Sequence, residues 1–418
     1  MMKQLLRNNI LTGLLALFSP IFSYCQRIAT LEVNMNRETA SLDIPVHVNL
    51  DGITMLADSS LVLYEISGNK RTAVPFQVEQ KGTRILYWMV HPSSNGKDKK
   101  TFELAAGKPA PFSSGVQTQT KDGHLIISSD NRPLIQYNYK TVYPPASVDS
   151  VFKRSGFIHP LWSPQGQELT RVSPSDHYHH FGLWNPWTKV LVDTDTIDFW
   201  NLAARKGTVR FSNFVSVTQG PIFGEFEALH DHVVFKKNEE KVAMRELQSV
   251  RIYPSPTNKD YYITDITIQL NPATEKDVVL LEYRYGGLGW RATGAWNKDN
   301  SETLTSTGKT RKDADGTKAR WCIVQGAMQQ DHAGIVMMSY PANYNHPEPL
   351  RIWPESMNGR GDVFANFSPT KDKDWKLERG NNYLLRYRLL VFNGKFNQSQ
   401  AEAAWQYFAT PPVITIKK

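Results

Sequence analysis

Short runs of alternating apolar and polar residues recur along almost the whole chain and restrict it to a β-rich fold. Successive side chains of a strand point to opposite sides, so this alternation indicates strands with one buried face. From residue 27 to about residue 111, turn residues such as Gly52, Gly68-Asn69 and Gly82 separate the runs. Strands of this length and spacing predict a small β-sandwich domain over residues 26–111.

The strand pattern continues from residue 116 almost to the end of the chain, and aromatic residues accompany it. Residues 116–418 are too many for an immunoglobulin-like unit, which has about 100 residues. They favour a large antiparallel two-sheet supersandwich. One helix is expected near the C-terminus, where Ser399 and Glu402 have the spacing of a capping box and Pro411 follows. The predicted fold class is therefore all-β with one C-terminal helix.

The first 25 residues have the composition of a cleaved export signal. Lys3 and Arg7 precede an apolar run over residues 10–18, which is too short to span a bilayer, and the segment ends at Cys25. Lipidation of Cys25 is the alternative, but the bulky Tyr24 stands where a lipoprotein signal has a small residue. We therefore expect a periplasmic or secreted protein without residues 1–25. No later apolar stretch is long enough to cross a membrane.

Charge and cysteine content narrow the function classes further. The formal net charge of +8 becomes +6 once Lys3 and Arg7 are removed. No dense Lys/Arg block is present that would follow a phosphate backbone, so we expect no nucleic-acid partner. Acidic sugars remain compatible with this charge. Cys322 would be the one remaining cysteine, so no intrachain disulfide could form. The sequence gives no indication of an oligomeric state.

Residues 176–184, Asp-His-Tyr-His-His-Phe-Gly-Leu-Trp, contain three of the eleven histidines of the chain. Imidazole changes its charge near neutral pH and is the commonest metal ligand, so this density indicates acid/base catalysis or metal binding. An extended backbone would put the rings of His177 and His179 on one face. A turn would instead bring His177 and His180 together.

A second candidate region begins with the alternating residues 278–285, which predict a strand with Glu282 and Arg284 on one face. Glu282 is either a second proton-transfer group or half of a plain ion pair with Arg284. Glycines at positions 286, 287 and 289 let the backbone approach a ligand. Arg291 follows and would donate two hydrogen bonds to a carboxylate or to sugar hydroxyls. His346, in a polar loop stiffened by Pro347, is expected to orient the substrate.

His230 and His232 lie two residues apart in a predicted strand over residues 223–235, so their rings share one face. That geometry fits chelation of a divalent metal, and it equally fits an exposed polar strand face. No zinc-type spacing with cysteines is present. We therefore predict no cofactor, with a divalent metal as the alternative.

Three segments, residues 156–166, 176–184 and 197–200, resemble an uncharacterised bacterial family named "methane oxygenase PmoA-like". Residues 285–291, 345–347 and 364–367 extend the resemblance, which covers roughly residues 130–408. The family usually has proline where Tyr178 stands and often arginine where Phe181 stands. A membrane methane oxygenase subunit needs spanning helices, which this chain lacks after its first 25 residues. The resemblance implies a secreted β-rich protein similar to galactose-mutarotase-like sugar enzymes, which carry histidines, a glutamate and arginines on a concave sheet face.

The sequence and the resemblance together predict a periplasmic carbohydrate-active enzyme that acts on a sugar, uronate or glycoside by histidine acid/base chemistry, as an isomerase, lyase or hydrolase. The catalytic candidates are His177, His180 and Glu282. The substrate-binding candidates are His159, His179, Trp184, Arg291, His346 and Asp176. One alternative is a non-catalytic glycan-binding protein with Trp184, Trp290 and Arg291 as its platform. The other is a metalloenzyme that uses His230 and His232 together with the central histidines.

Overall fold

The structure is a computed structural model that describes residues 26–35, 42–91, 99–109, 115–329 and 331–418. The expected export signal at residues 1–25 lies outside the described residues. Strands make up 53% of the structure and helix 5%, with a single α-helix in the described part of the chain. The predicted all-β class with one C-terminal helix is therefore confirmed.

The first part of the chain forms seven strands and one short 3-10 turn, Asp58–Ser60. The strands are β1 (Arg27–Asn34), β2 (Ile44–Asn49), β3 (Leu61–Ser67), β4 (Lys70–Val74), β5 (Gln77–Lys81), β6 (Thr83–Val90) and β7 (Lys99–Ala106).

The larger part of the chain forms the remaining strands, a 3-10 turn at Ser150–Phe152 and the α-helix. The elements are β8 (Val116–Lys121), β9 (His124–Ser129), β10 (Arg132–Asn138), β11 (Phe157–Leu161), β12 (Leu183–Trp184), β13 (Val190–Val192), β14 (Asp195–Ile197), β15 (Gly207–Thr218), β16 (Gly224–Lys236), β17 (Glu239–Pro254), β18 (Tyr261–Pro272), β19 (Val278–Leu280), β20 (Gly289–Arg291), β21 (Ser301–Thr305), β22 (Lys318–Ala319), β23 (Trp321–Met328), β24 (Asp331–Ser339), β25 (Glu348–Ile352), β26 (Phe364–Phe367), β27 (Trp375–Leu377), β28 (Tyr383–Asn393), α1 (Gln398–Ala409) and β29 (Val413–Lys417).

The small sandwich pairs a five-stranded sheet, in the order β29-β1-β7-β3-β4, with a three-stranded sheet, β2-β6-β5. Its core contains Leu31 and Phe102 from the first sheet and Leu86 and Trp88 from the second. The last strand of the chain, β29, pairs antiparallel with β1. The N-terminal sandwich is therefore completed by the C-terminal end of the chain, which the local strand pattern did not predict.

The large sandwich is built from a nine-stranded sheet, in the order β22-β25-β26-β20-β12-β11-β10-β9-β8, and an eight-stranded sheet, β15-β16-β17-β18-β28-β24-β23-β21. A four-stranded sheet, β14-β13-β19-β27, lies beside them. Ile158 and Trp290 from the first sheet and Ile266 and Leu389 from the second belong to one continuous core. The interior of the large sandwich is thus filled with apolar side chains.

Helix α1 begins two residues earlier than the sequence predicted. Its N-cap is Asn397, whose side chain accepts a hydrogen bond from the Gln400 amide at 3.0 Å, while the Gln400 side chain accepts one from the Asn397 amide at 3.0 Å. This pair forms the capping box in place of Ser399 and Glu402. The helix packs on the outer side of the eight-stranded sheet through Ala401 and Phe408. None of the described helices is long and apolar enough to span a membrane.

Strand alternation in the nine-stranded sheet creates a second, outward-facing set of side chains. Leu183 and Trp290 point into the main core, so their neighbours Trp184 and Arg291 point to the opposite face. There Trp184 joins a separate aromatic cluster with Phe157, Phe181, Trp200, Trp353 and Phe364. This aromatic cluster, outside the main core, is the floor on which the histidine motif lies.

Candidate functional site

The histidine motif forms two successive turns. The His177 amide donates to the Pro174 carbonyl at 2.9 Å, and the His180 amide donates to the His177 carbonyl at 3.1 Å. The extended alternative is therefore wrong, and the turn alternative is the one observed. The chain then enters β12 through Gly182, whose φ is +63°. A Cβ on Gly182 would lie 2.3 Å from the Ile158 carbonyl oxygen, so this position has room for glycine alone.

The two turns bring all three imidazole rings together. The ring centroids of His177 and His180 are 4.8 Å apart, those of His177 and His179 are 5.4 Å apart, and those of His179 and His180 are 4.9 Å apart. His177 and His179 are half-buried, whereas His180 is 1% exposed. The cluster therefore presents two rings toward solvent and keeps the third beneath them.

His180 sits on the aromatic floor. Its ring centroid lies 5.3 Å from Trp184, 5.4 Å from Trp353 and 5.2 Å from Phe364. Burial lowers the pKa of His180 well below its ordinary value, and the charge of the nearby Arg291 lowers it further. His180 is therefore neutral at neutral pH. Its Nδ1 is buried and has no hydrogen-bond partner among the described residues.

Asp176 is the hydrogen-bond centre of the site. Its Oδ2 accepts from His177 Nδ1 at 2.7 Å, from Arg291 Nη2 at 2.8 Å and from Asn358 Nδ2 at 2.8 Å. Its Oδ1 accepts from Arg171 Nη2 at 2.6 Å. Partial burial opposes ionisation, but the His177 hydrogen bond and the charges of the two arginines outweigh it and lower the pKa of Asp176 to about 2.

Arg291 connects this carboxylate to a second one. Its side chain is 1% exposed, and its Nη2 donates to both Asp176 and Asp362, the latter at 3.0 Å. The guanidinium lies 4.5 Å from the ring centroid of Trp353. Two carboxylates and an aromatic face thus fix this buried cation. Arg291 therefore fixes the position of the Asp176 carboxylate. Its Nη1 is buried and has no hydrogen-bond partner among the described residues.

The protonation states define what the cluster can do chemically. An ionised carboxylate accepts hydrogen bonds only, so His177 must donate from Nδ1 to Asp176. In the neutral ring, Nε2 then carries a free lone pair, which is the arrangement of a general base oriented by a carboxylate. Burial lowers the pKa of His179 to about 4. His179 is therefore a neutral neighbour that can accept or donate a hydrogen bond.

His159 lies next to the cluster on β11 but is separately bound. Its Nδ1 is 2.9 Å from Thr170 Oγ1, and its Nε2 is 3.7 Å from Glu168. Burial lowers the pKa of His159 to about 4. The Cβ of His159 packs close to Gly182, and no ring contact joins His159 to the three clustered imidazoles.

Glu282 and His346 are not brought to this cluster. Strand β19 ends at Leu280, not at residue 285, so Glu282 lies in an exposed segment where its amide donates to Asp374 Oδ1 at 2.6 Å. His346 lies 3.2 Å from Ser339 Oγ and stacks on Trp405, 6.3 Å between centroids. The predicted convergence of Glu282 and His346 with the histidines is therefore wrong. Asp176 provides the carboxylate instead.

His230 and His232 share one strand face, as predicted, but that face is inside the large sandwich. They are 1% and 0% exposed, so the prediction of an exposed polar face is wrong. His230 Nδ1 and His232 Nε2 lie 3.2 Å and 3.1 Å from the two oxygens of Glu246 on the neighbouring strand β17. The hydrogen bonds of both imidazoles hold the pKa of the buried Glu246 below its usual range. No group of three or more His, Cys, Asp or Glu side chains that could hold a metal occurs in the described ranges.

Sequence reasoning missed Arg171, Asn358, Asp362 and Trp353. Asn358 and Asp362 belong to the loop Asn358-Gly359-Arg360-Gly361-Asp362, in which Asn358, Gly359 and Gly361 have positive φ values. Two glycines spaced in this way, with flanking Asn and Asp, indicate a tight polar loop. That local signal was available, but only the tertiary structure reveals its contact with Asp176.

The fold and the site together define an all-β, two-sheet protein with a carboxylate-braced histidine cluster on the outer face of one sheet. Residues 124–406 match DUF6807, a family of unknown function. The match covers more than half of the chain, and the chain belongs to this family. No curated protein matches the sequence.

Proposed function

We propose that this protein is a carbohydrate-active enzyme that uses the Asp176–His177 pair for acid/base chemistry on a sugar, uronate or glycoside. The observation that carries the proposal is the 2.7 Å hydrogen bond between Asp176 and His177 Nδ1 at the solvent side of three clustered imidazoles. A histidine oriented in this way takes up a proton at Nε2 and returns it in the next step. Isomerisation, elimination and hydrolysis all need such a proton shuttle.

His177 and His179 are the two rings that contact the substrate in this proposal, and His177 is the one that exchanges a proton. His180 is 1% exposed and packed on Trp184, so a substrate would contact the two rings above it first. The pKa of His179, lowered to about 4, keeps that ring neutral across the neutral pH range. Its part is to accept or donate a hydrogen bond to a substrate hydroxyl. The part of His180 is to position the other two rings.

Arg171 and Arg291 fix the carboxylate that orients His177. Asp176 accepts from both arginines at 2.6 and 2.8 Å, so its rotation would break two charge-assisted hydrogen bonds. In this role Arg291 orients the catalytic pair, and it does not bind the substrate directly. The indole rings of Trp184 and Trp290 are 1% and 0% exposed. A glycan-binding platform made of these indoles would have no accessible ring face, which favours the enzymatic proposal.

The carbohydrate class is supported by the resemblance to galactose-mutarotase-like sugar enzymes and by the two-sheet, all-β body. The proposed setting is the periplasm or the cell exterior, which the basic and apolar pattern of residues 1–25 supports. The reaction as proposed requires no cofactor. Elemental analysis of the purified protein, followed by activity measurements after chelation, tests a contribution from a divalent metal.

The direct test is a screen of monosaccharides, uronates and glycosides, in which NMR follows substrate and product with wild type and two variants. His177→Ala removes the proton shuttle, and we expect a loss of at least about 100-fold in kcat. His332→Ala is the matched control, because His332 is a half-buried histidine on β24 in the other large sheet. Wild-type protein that converts no sugar would contradict the proposal, and so would a His177→Ala variant with wild-type turnover.

A further inference from the structure

A cavity that none of the clustered histidines lines lies between the 3-10 turn at residues 150–152 and the beginning of strand β15. Its volume is about 390 Å³. Small-molecule sites occupy roughly 300–1,000 Å³, so this cavity is large enough for a small ligand. Phe152, between the lining residues Val151 and Lys153, packs its ring on Tyr178 and His179 of the histidine motif.

The lining of this cavity is strongly basic. Lys153, Arg154, Arg205 and Arg210 contribute four cationic side chains, and Glu240 contributes one carboxylate. The hydroxyl-bearing residues Thr141, Ser150, Ser155 and Thr208 belong to the same lining. A concave surface with an excess of one sign of charge attracts ligands of the opposite sign. The lining therefore has the chemistry of an oxyanion site, with cations for the charge and hydroxyls for the remaining oxygens.

Arg154 is the buried element of this cavity. The residue is 2% exposed, its Nη1 donates to the Phe199 carbonyl at 3.1 Å, and its guanidinium lies 5.8 Å from the Phe181 ring centroid. Its Nε is buried without a hydrogen-bond partner in the described part of the chain. This nitrogen is shielded from solvent, but Arg154 also lines the cavity, so another part of the same buried cation is available to an anion there.

The other cations differ in how firmly they are held. Arg205 pairs with Asp149, and Arg210 pairs with Glu240 through two hydrogen bonds, all at the protein surface. Exposed ion pairs of this kind contribute little net stability, so a ligand can compete with them. Lys153 is exposed and forms no ion pair within the described ranges. Its ammonium group lies 5.6 Å from the Tyr143 ring centroid.

We propose that this basic cavity binds an oxyanion, either a free inorganic anion or the carboxylate of an acidic sugar. Arg154 supplies the buried cation of the site, and Lys153 supplies an exposed cation that forms no ion pair in the described part of the chain. The proposal goes beyond the acid/base function and does not depend on it, since none of the clustered histidines lines this cavity.

The test is isothermal titration of the full chain with sulfate, phosphate and glucuronate, with glucose as the uncharged control. We expect saturable 1:1 binding of at least one anion and none of glucose. Lys153→Gln should weaken that binding at least about threefold, and Arg154→Gln at least about tenfold. Lys259→Gln, an exposed lysine paired with Asp130 elsewhere, should leave it unchanged. Tighter binding of glucuronate than of both inorganic anions identifies a sugar-borne carboxylate, and the reverse identifies a free anion.

Because Arg154→Gln removes a buried charge, its folding is checked by circular dichroism, and Lys153→Gln tests the site without touching the core. No saturable binding of any anion at about 10 mM would overturn the proposal, as would anion binding that the folded variants leave intact. The sugar screen measures turnover by the wild type independently of this titration. Failure of the anion site is therefore distinguishable from failure of the acid/base function.

Discussion

Replacement of Asp176 by asparagine tests whether an ionised carboxylate organises the histidine cluster. The change keeps the shape of the side chain and removes its charge, which Arg171, Arg291 and His177 contact at 2.6–2.8 Å. A pKa lowered from 3.8 to about 2 corresponds to at most about 2.5 kcal/mol of stability at neutral pH. Asp176 is partly exposed, so solvent screening reduces the expected loss to about 1–2 kcal/mol.

The pH dependence of this loss identifies its origin. The folded-state pKa of Asp176 lies below the unfolded value, so its contribution is complete above pH 3.8 and is lost as the pH falls through about 2. At pH 3 the difference between wild type and Asp176→Asn should therefore be about half of that at pH 7.

The measurement is denaturant unfolding at both pH values, followed by tryptophan fluorescence. Asp195→Asn, which changes an exposed carboxylate on β14, is the control and should stay within about 0.5 kcal/mol of wild type. A destabilisation by Asp176→Asn that is the same size at pH 3 and pH 7 would refute the role of the charge. Unchanged stability of Asp176→Asn at pH 7 would show that the hydrogen bonds of Asp176 do not stabilise the protein.

Three further expectations concern single positions. Because the pKa of His179 is lowered to about 4 in the folded protein, the unfolded state takes up its proton first as the pH falls below 6.5. Wild type should therefore lose about 1–2 kcal/mol more stability than His179→Phe between pH 7 and pH 5. Urea titrations that show equal losses for the two proteins would exclude this. Burial raises the pKa of Glu348 to about 7, so its own contribution to stability is lost as the pH rises from 4.5 to 7. Between these pH values Glu348→Gln should therefore gain stability relative to wild type in thermal melts, and equal changes in the two proteins would contradict this. Gly182→Ala should cost at least about 2 kcal/mol, because its Cβ would meet the Ile158 carbonyl; wild-type thermal stability of this variant would show that the turn can shift.

The fold class could be predicted from the sequence because strand alternation is a local signal. It is visible in long strands such as β16 and β18, whereas the pairing of β29 with β1 joins residues at opposite ends of the chain. No local pattern carries that information. The early end of β19 has a similar cause: the Leu281 amide donates to the Lys189 carbonyl and the Glu282 amide to Asp374, so loop contacts override the alternation.

The candidate site could be predicted in part. The density of imidazoles in residues 176–184 located the cluster, but its partners come from distant loops. Asn358 is 182 positions from Asp176 in the chain and yet donates to it at 2.8 Å. The choice between an extended segment and a turn at His177 also depends on tertiary structure, since both conformations fit the same residues. The sequence favoured Glu282 as the carboxylate of the site. In the structure it is Asp176 that lies within hydrogen-bond distance of a clustered imidazole, that of His177.

The two histidine groups of this chain differ in access, although their chemistry is alike. In each, a carboxylate binds imidazole nitrogens: Glu246 binds His230 and His232 at 3.2 and 3.1 Å, and Asp176 binds His177 at 2.7 Å. The Glu246 group is closed, because both oxygens are occupied by rings that are 1% exposed or less. Asp176 instead accepts hydrogen bonds from Arg171 and Arg291 as well as from His177 Nδ1. The Nε2 of His177 takes part in none of these contacts and stays open to solvent. A proton shuttle needs an unoccupied nitrogen that a substrate can reach, so the same pair of residue types is structural in the core and suited to catalysis at the surface.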